Sequence, residues 1–141
     1  MSATPIASPQ RGTFLSTIAV LLALLALSNF TKALQNMGDH TKGLVVFGMR
    51  LGTVGLNAVF GPLFGAVIAA YAYGIWRMKA WVLPLSIAYA FYVPTNLVLF
   101  WFMHADIPRH PLIGMVAYLA VALTGSVGTA IYLAYHHDRL S

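Results

Sequence analysis

Cysteine and glutamate are both missing from this chain, and its aspartates stand only at positions 39, 106 and 138. Without cysteine there is no disulfide framework, no thiolate metal site and no thiol nucleophile. With no acid inside a long apolar stretch, a carboxylate proton relay through a membrane is excluded as well. Charge of either sign is scarce. Only 8% of the 141 residues are Asp, Glu, Lys or Arg, against about a quarter in a soluble domain. With 60% hydrophobic residues and a mean hydropathy of +0.79, the chain cannot furnish the polar surface that a compact fold shows to water. The solvent it is built for is lipid.

What is present is a succession of apolar runs. They predict an all-α fold, an integral membrane up-down bundle of four transmembrane helices forming one domain over residues 1–141. The helices are expected at roughly 13–34, 51–76, 81–103 and 112–135. The second run, Leu44 to Trp76, is about 33 residues long, nearly 50 Å as a helix, whereas a hydrocarbon core is about 30 Å thick. Gly43 to Arg50 is therefore assigned to an interfacial extension, with a bend expected near Gly61-Pro62. The first run also carries the pattern of a cleaved signal peptide, with Arg11 ahead of Phe14 to Leu25 and the small residues near Ser28, although it is long for one.

The net charge of +5 does not point to nucleic acid, because the basic residues are dispersed over the ends of the runs, where they meet headgroups. Arg11, Arg77, Lys79 and Arg139 fall on one side, and Lys32, Lys42, Arg50 and Arg109 on the other. The acids Asp39 and Asp106 share the second side. This places both termini in the cytoplasm, and a small bundle with minimal loops suits a bacterial inner membrane. The lipid bilayer is then the first partner.

Polar residues within the runs collect at one end. Arg50, Thr53 and Asn57 are spaced to share a helix face, as are Ser86, Tyr89, Tyr92 and Asn96. Lys32, Arg50, Thr53, Asn57 and Asn96 form the candidate ligand-binding group. Either they cap the helix ends, bonding to carbonyls freed near Pro62 and Pro94, or they line a cationic vestibule for an anionic solute or headgroup. Small residues form the candidate packing stripes: Gly61 and Gly65 on the second helix, Ala120, Thr124 and Gly128 on the fourth. These are expected to pack helix two on helix four, or to mediate self-association or docking with another membrane protein.

His104, Asp106 and His110 lie within seven positions in HADIPRH, between two runs. With His40 and the adjacent Asp39 they could offer nitrogen and oxygen ligands to a divalent metal. The spacing is not itself a metal motif, and Pro108 and Pro111 are ordinary turn formers. No cofactor is therefore assigned. Haem is disfavoured because the histidines sit at helix ends rather than facing one another within the bundle.

RLGTVGLNAVFGPLF, residues 50–64, resembles the second helix of the membrane-associated glutathione and eicosanoid enzymes in Arg50, Asn57 and Pro62-Leu63-Phe64. The acid which that family carries between its Asn and Pro is missing here, and the third helix lacks the arginine and tyrosine pattern for glutathione. No site is carried over. The expected function is that of a non-enzymatic accessory or interaction subunit whose polar helix ends dock a partner or lipid headgroup. The alternatives are an oligomeric carrier for a small polar or anionic solute, and a metal-dependent membrane enzyme.

Overall fold

The computed structural model describes residues 12–39, 43–104 and 112–141, and most of them are helical. In chain order the elements are α1 (Thr13–Phe30), α2 (Lys32–Gly38), β1 (Val45–Val46), β2 (Met49–Arg50), α3 (Val54–Trp76), α4 (Val82–Met103), α5 (Leu112–Leu123), a π-helical turn (Thr124–Gly128), α6 (Thr129–Tyr135) and a 3-10 turn (His137–Arg139). Helices α1, α3 and α4 are long and apolar enough to cross a membrane. The fourth apolar run is also helical, but the π turn divides it into α segments of 12 and 7 residues.

Two expectations change at the level of local structure. The first helix does not run unbroken to Leu34: it ends at Phe30, and α2 restarts at Lys32. At the break Thr31 turns its hydroxyl back on the Ser28 carbonyl (3.0 Å) and accepts a hydrogen bond from Gln35 Nε2 at 2.8 Å. Side-chain bonding of this kind competes with the helical ladder and bends it. The interfacial extension, in turn, is a hairpin. Val45 pairs with Arg50 and Val46 with Met49, across a turn in which Phe47 (φ 47°) and Gly48 (φ 80°) both adopt left-handed backbone. Positive φ at both central residues is the type I′ signature that matches the twist of a two-residue hairpin.

Helix α3 therefore begins at Val54, where Thr53 Oγ1 accepts from the Leu56 amide at 3.3 Å, an N-cap in the usual sense. It runs through Pro62, as α4 runs through Pro94. A proline withholds one N–H from the ladder, and neither helix ends for it.

Packing follows from where side chains are smallest. A Cβ added at Gly61 would lie 2.6 Å from the Asn29 carbonyl oxygen, and one at Gly65 would lie 3.1 Å from that of Ala26. The end of α1 thus crosses the start of α3 at backbone contact, which small residues permit. The glycine stripe expected to take the fourth helix is filled by the first. Towards the other end of the pair, Leu15, Ile18, Tyr71, Ile75 and Val82 join one buried cluster with Leu133 of α6. Phe14 meets Tyr132 there with ring centroids 5.4 Å apart. The chain's last residue closes this end: the Ser141 amide donates to the Met78 carbonyl (2.8 Å), and the Ala80 amide donates to the Ser141 carbonyl (3.0 Å).

Helix α4 packs mainly against the π turn and α6. It buries Val82 and Ser86 alone, and Ile87, Phe91, Val98 and Phe102 stay exposed along its length. Ser86, Ser126 and Thr129 are fully buried, each hydroxyl donating at 2.7 Å to a carbonyl of its own helix, from Leu83, Ala122 and Gly125 in turn. Each buried hydroxyl is thus satisfied by a carbonyl three or four residues back along the chain.

Candidate functional site

The polar end of the molecule is organised by the hairpin. The hairpin within residues 43–52 is only two short strands wide, so the backbone polar groups on its outer edges and at its base need outside partners. Asn57, fully buried in the first turns of α3, supplies those at the base. Its Oδ1 accepts from the Leu44 amide at 2.8 Å, and its Nδ2 donates to the carbonyls of Leu51 (2.6 Å) and Thr53 (2.8 Å). Asn96 of α4 does the same across the other side. Its Oδ1 accepts from the Gly48 amide at 2.9 Å, and its Nδ2 donates to the Val45 carbonyl at 3.3 Å. The Tyr92 hydroxyl donates to that carbonyl as well, at 3.4 Å. Its ring is packed edge-on by Phe47 and flanked by Phe64.

The candidate ligand-binding residues are thus brought to one end, in different roles from those the spacing suggested. Arg50 and Thr53 precede α3 and do not share a helix face with Asn57: Arg50 is in β2 and Thr53 is the cap. Asn57 and Asn96 are committed to hairpin backbone rather than to carbonyls freed by Pro62 or Pro94. Lys32 stands on α2, where its Nζ donates to Gln35 Oε1 at 3.2 Å and burial lowers its pKa below the ordinary lysine value. Gly48 approaches α4 so closely that a Cβ would come within 2.7 Å of Leu99, which seats the turn directly on that helix.

Arg50 differs from the other members of the group. Its guanidinium lies over the Phe100 ring, 5.6 Å from the centroid, a distance at which a cation is held by the ring's negative face. Its Nε is buried and meets no hydrogen-bond acceptor among the described residues. A guanidinium carries five donors and stays charged at any accessible pH, so this side chain retains capacity for an anionic acceptor. Phe47 and Met49 of the hairpin and Phe102 and Met103 at the end of α4 are exposed. The end therefore holds a cation on an aromatic ring, on a hydrogen-bonded scaffold that also carries exposed apolar side chains.

Of the candidate metal ligands, His40, Asp106 and His110 lie outside the described residues. His104 terminates α4, its ring stacked on Phe100 at 4.4 Å with Nδ1 3.2 Å from the Phe100 carbonyl. A carbonyl only accepts, so Nδ1 is the donor in this contact. Among the described residues no three His, Cys, Asp or Glu side chains gather as a metal group.

The hairpin is what sequence reasoning missed. VVFGMR does contain a glycine after a short apolar run, a weak turn signal beside the Asn-Gly or Asp-Gly pairs that usually announce such a hairpin. Tyr92 was legible as a member of the polar face of its helix, though not as a support for Val45. Neither a protein-family model, nor a curated protein, nor a solved structure matches the chain.

Proposed function

We propose that the chain is a multi-pass protein of a bacterial inner membrane, with four spans and both termini cytoplasmic, acting as a non-enzymatic interaction subunit. Its hairpin end would dock an acidic group, on a neighbouring membrane protein or on a lipid headgroup. One observation carries this reading: Arg50 is held over Phe100 with its Nε unanswered among the described residues, on a hairpin fixed by Asn57 and Asn96. A preorganised cation loses little freedom on binding, which is what makes a fixed site bind well. The carrier reading is weaker for the same reason, since the two asparagines that would line a solute path are occupied by backbone. Self-association through Gly61 and Gly65 is likewise disfavoured, because α1 already covers both.

The test is purification from native membranes in mild detergent, comparing the wild type with Arg50→Ala, Arg50→Lys and Lys32→Ala. A single protein at fixed stoichiometry, or an enriched anionic lipid, is expected with the wild type and lost with Arg50→Ala. Arg50→Lys keeps the charge but not the fork of donors, so partial retention is expected there. An unchanged set of companions across all variants overturns the proposal.

A further inference from the structure

Along the outer side of the helix pair, an apolar groove of about 480 Å³ opens between α1 and α3. Its volume falls in the range of sites that hold a single small molecule, about 300–1,000 Å³. Ala19, Ala26 and Ala72 form a buried floor, while Phe30, Tyr73 and Trp76 stand exposed as walls. Along α1 the groove extends from Ala19 to Phe30, roughly 16 Å at the helical rise. A helix of that length and about 10 Å across would occupy roughly 1,250 Å³, far more than the groove encloses. A flexible hydrocarbon chain can lie in it whole.

The two ends of the groove differ in chemistry. At one, Leu27 and Phe30 close it with hydrocarbon. At the other, Tyr73 and Trp76 bring amphipathic rings of the kind that settle at headgroup level. Arg77 follows Trp76 directly and is exposed, and Lys79 comes two residues later in the turn to α4. We propose that this groove is a site for an anionic phospholipid, with one acyl chain along the alanine floor and the phosphate between Arg77 and Lys79. The apolar length, the aromatic end and the two cations occur in the order in which such a lipid presents chain, glycerol and phosphate.

The test uses Trp76 as the reporter. The chain has three tryptophans, so Trp81→Phe/Trp101→Phe leaves Trp76 alone to fluoresce. The protein is reconstituted in phosphatidylcholine vesicles containing a minor fraction of lipid with brominated acyl chains, which quench on contact. Brominated phosphatidylglycerol is expected to quench Trp76 more than brominated phosphatidylcholine at equal fraction. Arg77→Gln/Lys79→Gln should cut that preference by about fivefold per charge removed, and Ala23→Phe, at an exposed lining position, should reduce quenching by both lipids. Size-exclusion profiles establish that each variant is folded; if one is not, the other decides. Equal quenching by the two lipids means bulk solvation only and overturns the site. No quenching by either means that a helix or a second copy covers the groove, and overturns it too.

Discussion

Asn57 stands in for a missing strand beside Leu44: its carboxamide accepts the Leu44 amide at 2.8 Å and donates to the Leu51 carbonyl at 2.6 Å. Because Leu51 itself donates back to the Leu44 carbonyl at 2.8 Å, one side chain closes the base of the hairpin. Asn57→Leu removes three hydrogen bonds and takes the side-chain partner from the half-buried Leu44 amide and Leu51 carbonyl. At about 1 kcal/mol per bond the loss is about 3 kcal/mol, and it is expected as a lower thermal midpoint in detergent. Amide exchange should quicken at Leu44. Asn96→Leu, whose Nδ2 bond is longer, should cost less.

The crossing of α1 on α3 makes a paired prediction from glycines of the same helix. Gly61→Ala drives a methyl onto the Asn29 carbonyl, 2.6 Å away, and overpacking of this kind costs about 1–3 kcal/mol. Gly55 has nothing within 4 Å of an added Cβ. Gly55→Ala should be neutral or stabilising by up to about 1 kcal/mol, the helix cost of glycine. Equal effects of the two substitutions on thermal stability would contradict the close crossing.

Gly48→Ala tests the turn. The residue sits at φ 80° with Leu99 atoms 2.7 Å from an added Cβ, so both conformation and space oppose a side chain. The expected result is a hairpin lifted from α4. It should be read as faster amide exchange at position 48 and at Leu51 and loss of the Arg50 position over Phe100, with the helix content by circular dichroism unchanged.

Lys32 gives a pH dependence whose sign is fixed. Burial lowers its folded-state pKa below the ordinary 10.5, so between the lowered value and 10.5 the unfolded chain binds more protons than the folded one. Stability contributed by this group therefore rises with pH through that window and is at its minimum below it. Unfolding midpoints measured from neutral pH towards 10.5 should climb for the wild type. Lys32→Met, which keeps the apolar stem and removes the charge, should lie higher at neutral pH and lose that part of the slope.

Helix content was legible in the sequence because apolar runs without charges allow few other states, and the three candidate spans fall close to their expected bounds. The end at which polar residues gather was also legible, from depth along each run. What was not legible is what those residues touch. Helical spacing put Arg50 with Thr53 and Asn57, but positive φ at Phe47 and Gly48 takes Arg50 out of the helix, and no propensity favours a phenylalanine there. The break at Thr31 depends on a glutamine four residues on, a tertiary-like bond between near neighbours. The glycine stripe was recognised as a packing surface, but small residues do not say which helix will come.

The π turn from Thr124 to Gly128 has one further consequence. A π turn holds an extra residue within what would otherwise be an α-helical turn, so α5 and α6 are out of phase by the rotation of one residue. Within the turn Thr124 still lies beside Gly128, its Cγ2 3.7 Å from where a Cβ on that glycine would sit, so the phase change is felt beyond Gly128. Deleting Gly125 should restore one uninterrupted helix and swing the Leu133 face away from the core it now fills, so that chain length at this point acts as a rotary setting for the C-terminal helix.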